Sequence, residues 1–420
     1  MKKGAGESAS LYVHVPFCAG GKCDYCDFYS VPVKSGDGRL VIFVDTLLCE
    51  AERLFRAYRP EKIPSLYIGG GTPSVLGAAG IKRLLAGLLQ LITSVSPPPL
   101  EITVEVNPES TDESFLAAAA EGGASRLSLG VQTFYGPSRR AVHRAGTEPC
   151  SGETLLHERL SLAAGYFPGA FSADLLSGLP FQNEKILSDD ISALLSHKPA
   201  HVSLYALTEE PGTELAIKKA AGSLTLPEGD EADGLWLCGR DKLEKAGYSQ
   251  YEVSNFCLPE KESLHNIRYW RMQNWLALGP AASGTIIYNI SGSDETASAC
   301  RYTIPPDVGA WLSLGGCSFC PEQIAGPVPA YAPLWEEIDT PTLIKETLLM
   351  GFRYIKGPDE ALFRSRFRKG IEDLIPNTLG TWQDRSLLRR EKHALTKEGL
   401  LMLNRFLTGA FGELDDSSSA

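Results

Sequence analysis

Six short runs of apolar and β-branched residues recur along the first half of the chain and predict strands: Leu11 to Pro16, Ser65 to Gly69, Glu101 to Val106, Arg126 to Gly130, Ser172 to Leu176 and Val202 to Ala206. The segments between them, including Ile81 to Ile92, Asp112 to Ala120, Glu153 to Ala164 and Leu187 to Leu195, carry apolar residues at three- and four-residue spacing. Most follow a Ser, Thr or Asp that can cap a helix, so they predict crossover helices. Strand and helix alternating in this way imply an α/β fold with a parallel sheet, either doubly wound or rolled into an incomplete (β/α)6 barrel. Beyond Ala206 the rhythm weakens. A helix is expected over Glu231 to Ala246 and a strand over Tyr251 to Phe256, before a Gly- and Ser-rich stretch from Ala281 to Ser298 where another domain should begin. Amphipathic Pro341 to Arg353 and the segment from Ala394 to Leu400 predict a small helical or winged module at the end of the chain. Leu414 to Ala420 reads as a polar, disordered tail.

Composition narrows the classes. With 43% hydrophobic and 22% charged residues in 420, the chain can bury a large core and favours a large domain with a smaller one attached. A net charge of -11 speaks against nucleic acid or anionic lipid as partners, both of which require clustered cations. Met1 to Ser8 has no apolar stretch of a secretory signal, and no later stretch reads as an integral membrane segment, so a cytoplasmic protein is expected. In a reducing compartment, ten cysteines read as metal or catalytic ligands plus scattered buried thiols, not as a disulfide framework.

Three of those thiols are clustered. Cys18, Cys23 and Cys26 lie on a glycine-containing loop directly after the first predicted strand. A structural zinc site closes with four ligands, whereas a 4Fe-4S cluster held by three cysteines keeps one iron open for an external ligand. A zinc site completed by Cys317-Ser318-Phe319-Cys320 is the competing reading. After the second strand comes Gly69-Gly70-Gly71-Thr72-Pro73, where missing Cβ atoms allow a ligand close to the backbone. Glu105, Gln132, Asp174, Tyr205 and Ala206 fall in or at the ends of later strands. In a (β/α) barrel those C-terminal ends share one mouth, which favours the barrel over the open sheet.

These motifs resemble the radical SAM superfamily and, within it, the branch of oxygen-independent coproporphyrinogen III oxidase and the haem chaperone HemW. The resemblance runs from Tyr12-Val13-His14-Val15-Pro16-Phe17-Cys18 through Arg126 to Gln132, Asp174 to Pro180, Ser203-Leu204-Tyr205, Glu210 to Thr213 and Tyr251 to Phe256. It continues in His265-Asn266-Ile267-Arg268-Tyr269-Trp270 and resumes over Leu395 to Leu401. It implies a 4Fe-4S cluster on Cys18, Cys23 and Cys26, with S-adenosylmethionine (SAM) chelating the open iron. Tyr12, Gly70, Gly71, Thr72, Glu105, Gln132, Arg144, Asp174 and Ala206 fall where the family contacts SAM. Glu105 would accept from the amino group, Arg144 would pair with the carboxylate and Asp174 would bind ribose hydroxyls; Tyr25 would pack on the adenine. The resemblance also implies haem, with His265 as its axial ligand, and a haem-accepting protein as partner. It divides the chain into a partial barrel with cluster and SAM site (1–210), a flanking region with the His-Asn-x-x-Tyr-Trp segment (211–320), a C-terminal HemW-type domain (321–412) and the tail (413–420).

Within the branch, the oxidase has Cys-x-Cys at its third cluster cysteine, whereas Cys26-Asp27-Phe28 stands here. The first strand also begins within about ten residues of Met1, without the longer leading segment of the oxidase. Both favour the chaperone over an oxidase that decarboxylates a porphyrinogen. Two departures are expected to matter. Four residues separate Cys18 from Cys23 where the family has three, and Gly279-Pro280-Ala281-Ala282-Ser283-Gly284 places serine where the family has histidine. Cys300, Cys317 and Cys320 have no counterpart in the family and read as buried free thiols.

Overall fold

The computed structural model describes residues 7–34, 36–144, 151–289, 296–316 and 332–418. Six parallel strands, β1 (Ser10–Val15), β2 (Ser65–Gly70), β3 (Glu101–Val106), β4 (Arg126–Gln132), β5 (Phe171–Ser177) and β6 (His201–Ala206), pair in chain order. They are joined by α1 (Arg39–Tyr58), α2 (Gly77–Thr93), α3 (Glu113–Glu121), α4 (Ser151–Tyr166) and α5 (Glu184–Leu195). Asp112 and Asn183 cap α3 and α5 by accepting from the amides of Phe115 and Ile186. The two ends of this run do not meet. The outer edge of β1 is taken by the parallel strand β8 (Trp275–Leu278), and that of β6 by the antiparallel strand β7 (Asn255–Cys257), so the barrel is incomplete.

Parity along the strands separates two environments. Leu11, Val13 and Val15, Leu66 and Ile68, Val104 and Val106, Leu127 and Leu129, and Leu175 and Leu204 are all buried in the main apolar core, together with Phe43, Leu47, Leu84 and Leu88 of the covering helices. The opposite face is polar. Register aligns Tyr12 with Tyr67 and Thr103, Glu105 with Ser128, and Gly130 with Asp174 and Ser203. Parallel strands covered on both faces usually read as continuous apolar runs. Here the alternation marks a polar lumen.

The structure differs from the sequence expectation in four places, three of them past the barrel. The Gly- and Ser-rich stretch is not a boundary loop: β9 (Ser283–Asn289) and β10 (Ala297–Thr303) pair antiparallel and continue the same sheet, followed by β11 (Leu334–Ile338). β-Branched and aromatic residues between the glycines supply the packing, with Ile286 and Ile287 on opposite faces and both buried. Tyr251 to Ser254 forms only an isolated bridge, Glu252 to Tyr354, before β7 begins. The final helix, Leu403–Ser418, runs into the expected tail as far as Ser418, with Leu414 buried in the C-terminal core and Asp415 paired with Lys345. Finally, residues 73–93 are long and apolar enough to cross a membrane by length and composition. In this fold Ile81, Leu84, Leu85, Leu88 and Ile92 form the buried stripe of α2.

A second apolar core gathers the C-terminal helices, with Leu343, Phe352, Phe363, Trp382 and Phe406, and extends onto Ile287, Ala299 and Ile338 of the antiparallel strands. The helical module therefore rests on the extension of the sheet and leaves the polar lumen to the barrel.

Candidate functional site

The C-terminal strand ends form the mouth. Cys18 lies on Phe17–Ala19, a short strand paired with Val31–Val33, and the loop carrying Cys23 and Cys26 closes with a Cys26 N–H bond to the Cys23 carbonyl. The extra residue between Cys18 and Cys23 has a simple local solution. Gly20 and Gly21 both adopt positive φ, 76° and 107°, and a Cβ on either would meet nothing. The insertion is a left-handed glycine turn in open space.

Two donors approach the thiols. Thr72 Oγ1 lies 3.7 Å from Cys18 Sγ, and the Arg144 guanidinium lies 3.6 Å from Cys23 Sγ. Burial raises the Cys26 thiol to about 11, so a metal would have to displace its proton. Among the described residues, no three Cys, His, Asp or Glu side chains converge into a metal-binding group. The three thiols share one loop without being assembled. Their donor chemistry nevertheless fits an iron-sulfur cluster: soft ligands, hydrogen-bond donors at two sulfurs, and a glycine turn that lets the loop close. Cys317 and Cys320, the zinc alternative, lie outside the described residues. Cys300 is a partly buried free thiol on β10.

The glycine run is dictated by crowding. A Cβ on Gly69 would come within 2.6 Å of Glu105 Oε2, one on Gly70 within 2.5 Å of His14 Nδ1, and one on Gly71 within 2.6 Å of the Phe17 carbonyl. His14 cannot yield, since its Nε2 is bonded to the Tyr29 carbonyl and its Nδ1 to the Tyr12 hydroxyl. Gly70 also has φ 107°. Gly70→Ala is therefore expected to destabilise the protein by about 1–3 kcal/mol, measurable as a lower denaturation midpoint. An unchanged midpoint would show that the turn relaxes freely.

Inside the lumen, Glu105 accepts from the Tyr67 hydroxyl at 2.5 Å and from the Gly70 amide at 3.1 Å. Burial is the main reason that its carboxyl is raised to about 7, with the Asp174 carboxylate adding to the effect. Burial also raises Asp174, which Ser128 and Ser203 hold by hydrogen bonds. Arg144 reaches across the mouth from Cys23 to Asn107 Oδ1 (3.0 Å) and the Gly130 carbonyl, while its Nε has no partner despite being buried. An unpaired buried guanidinium N–H is costly, and an anionic ligand would satisfy it. Gln132 sits at the end of β4 with φ 68°, where a register shift re-aims the strand. Ala206 ends β6 exposed, and Tyr12 lines the lumen beside Tyr67, their ring centroids 6.2 Å apart. Tyr25 packs with Val142, Leu176, Leu179 and Leu215 in a small apolar cluster, as an ordinary core residue would.

His265 is at the other end of the barrel. Its Nδ1 bonds Ser65 Oγ at 2.9 Å, its Nε2 meets the Tyr269 hydroxyl at 3.3 Å, and its ring packs 5.0 Å from Tyr67. Ser65 and Glu101 open β2 and β3, and Glu101 caps the helix Leu264–Trp270 by accepting from the Leu264 and His265 amides. Neither ring nitrogen of His265 is open to a haem iron, contrary to the sequence expectation. It is part of a polar floor with the buried Ser10, His201 and Tyr251 and the half-buried Arg268. Ser283, in place of the family histidine, donates to the Tyr302 carbonyl within the sheet.

Several site residues escaped the sequence reading: Tyr67, Ser128 and Ser203, which fix the two carboxylates, and Asn107 and Asp24 at the mouth. Polar residues at every second position of parallel strands were the available signal for the three lumen residues.

Residues 12–156 match the radical SAM superfamily model. The chain is 37% identical over 276 residues to heme chaperone HemW of Lactococcus lactis, covering 66% of this chain and 69% of that protein. It is 35% identical to radical S-adenosyl methionine domain-containing protein 1, mitochondrial, of Mus musculus, covering 72% and 66% of the two chains. Heme chaperone HemW of Bacillus subtilis aligns at 28% identity over 96% of this chain and 100% of its own. Among solved structures, coproporphyrinogen III oxidase (HemN) from Escherichia coli superposes with a TM-score of 0.73 at 19% identity, covering 97% of this chain and 90% of that one, a likeness of fold.

Proposed function

The chain belongs to the HemW family of the radical SAM superfamily, and from that premise we propose that it holds a 4Fe-4S cluster and SAM at the barrel mouth, binds haem as cargo and delivers it to an acceptor protein. The observation that carries this reading is similarity to several relatives named heme chaperones, one of them along its whole length. Phe28 supports the chaperone over the oxidase: it is 60% exposed, where the oxidase carries a further cysteine. The work is placed in the cytoplasm, where thiols stay reduced.

Cys18, Cys23 and Cys26 would hold the cluster, whose open iron would take the amino and carboxylate groups of SAM. The chain's own residues have definable tasks. Glu105, fixed by Tyr67 and the Gly70 amide, presents an acceptor for the amino group once ionised. Arg144, with its unpaired Nε, offers charge to the carboxylate. Asp174, held by two serines, offers acceptors to the ribose hydroxyls.

The test is anaerobic reconstitution with iron and sulfide of the wild type beside a Cys18→Ala, Cys23→Ala, Cys26→Ala variant. Four irons per chain and a cluster absorbance are expected in the wild type alone, followed by haem uptake on titration. Zinc with no iron in the anaerobically purified protein would overturn the cluster. Sustained production of 5′-deoxyadenosine with porphyrinogen turnover would replace the chaperone with an oxidase.

A further inference from the structure

Haem as cargo requires an axial donor, and the seven histidines of the chain are not equivalent. His14, His201 and His265 are buried, with hydrogen bonds at both ring nitrogens. His157 and His197 are bonded to each other at 2.8 Å, and His393 lies against Glu360 with a side chain only 16% exposed. His143 is different. Its side chain is 66% exposed, and it immediately precedes Arg144 at the barrel mouth.

The surroundings of His143 resemble those of a metal-binding imidazole. Its Nδ1 lies 2.8 and 3.0 Å from the two oxygens of Asp24 and 3.1 Å from Lys218 Nζ. Among the described residues, every hydrogen-bond partner of the ring lies at Nδ1, which leaves Nε2 as the nitrogen on the open side of an exposed side chain. Asp24 is itself fixed: it is 4% exposed, accepts from Lys218 Nζ at 2.7 Å, and is tied through its backbone to Val142 and Leu215. A buried carboxylate that orients an imidazole through its far nitrogen also raises the basicity of that ligand. His143 further adopts φ 48°, a left-handed conformation uncommon outside glycine, which this Asp24 contact helps to hold.

A second observation concerns the end of the barrel on which it lies. Of the twelve large hydrophobic residues exposed among the described ones, six lie on segments that leave or follow the C-terminal strand ends: Phe28, Val41, Ile42, Phe181, Tyr205 and Ile217. The opposite end has its polar floor. Apolar side chains exposed at the same end of the barrel as an open imidazole suit a flat, largely apolar macrocycle whose metal takes an axial nitrogen.

We propose that haem docks at the barrel mouth with Nε2 of His143 as its axial ligand, Asp24 orienting the ring and the apolar side chains exposed at that end receiving the porphyrin. This inference rests on the haem-carrier reading given above. It places the cargo next to the cluster loop, since Asp24 stands between Cys23 and Tyr25, and assigns a role to a residue that the family resemblance leaves unused.

The test is titration of ferric haem into the full-length wild type, His143→Gly and His143→Met, followed by absorbance. Glycine suits φ 48°, so the substitution adds no backbone strain, and the denaturation midpoint of each variant is read beside its haem affinity. Expected results are at least a tenfold weaker affinity and loss of the nitrogen-ligated Soret band in His143→Gly. His143→Met should give a ligated haem with a distinct, thioether-type spectrum. A His143→Gly protein with wild-type affinity and spectrum would place the ligand elsewhere, overturning this inference while leaving the haem-carrier reading intact. A wild type that binds no haem would overturn both.

Discussion

His265→Ala is expected to destabilise the protein by about 3–5 kcal/mol while leaving the cluster-binding loop able to load iron. The side chain is 1% exposed, links β2 to the helix that bears it through Ser65 and Tyr269, and packs between Tyr67 and Tyr269 at 5.0 and 4.9 Å. Removing it leaves a cavity and strips the buried Ser65 and Tyr269 hydroxyls of a partner. Denaturant unfolding reads the loss, and iron content after reconstitution reads the spared site. Unchanged stability with lost haem binding would instead make His265 a ligand. A pH signature should accompany the loss. Burial lowers this imidazole from 6.5 to about 3, so the unfolded chain binds its proton first as the pH falls. The stabilisation is therefore complete above pH 6.5 and is lost progressively toward pH 3, and a His265→Gln protein should show a shallower acid limb.

Glu105→Gln should act on stability and binding in opposite directions. Burial raises this carboxyl from 4.5 to about 7, so the folded protein retains a proton that the unfolded chain has released. Stability contributed by Glu105 thus falls as the pH rises from 4.5 through 7. The amide variant, which never ionises, should gain on the order of 1–3 kcal/mol at pH 8 and nothing near pH 4. With the carboxylate gone, SAM affinity of the reconstituted protein should fall by roughly tenfold to a hundredfold, the worth of a hydrogen bond to a charged group. Thermal unfolding across pH and equilibrium dialysis of SAM provide the two readouts. A variant less stable at pH 8 would mean that Glu105 is ionised and satisfied in the free protein, contrary to its lumen environment.

Local pattern determined much of this molecule. The six barrel strands fall within one or two residues of the apolar runs that predict them, and α3 and α5 start at side-chain caps, because period and caps are short-range properties. The cysteine loop, the glycine turn and the polar strand ends likewise marked the C-terminal face, since a parallel βα repeat fixes which end of every strand is up.

Tertiary structure decided what depends on register. Whether Tyr67, Ser128 and Ser203 share a face with Glu105 and Asp174 follows from strand pairing, in which a slip of one residue turns every side chain over. The Gly69 to Gly71 run reads as a ligand cradle in sequence, yet Glu105, His14 and Phe17 crowd it from other strands. His265 lies in a motif that resembles a cofactor site, but Ser65 and Glu101, which open β2 and β3, hold it at the floor of the barrel. His143, unremarkable in sequence, gains its character from Asp24, 119 residues away in the chain. Sequence carried the periodicity and therefore the elements and the end of the barrel that bears the site. Long-range contacts set the partners of each polar side chain, and with them which histidine is buried in a hydrogen-bond network and which is exposed at the mouth.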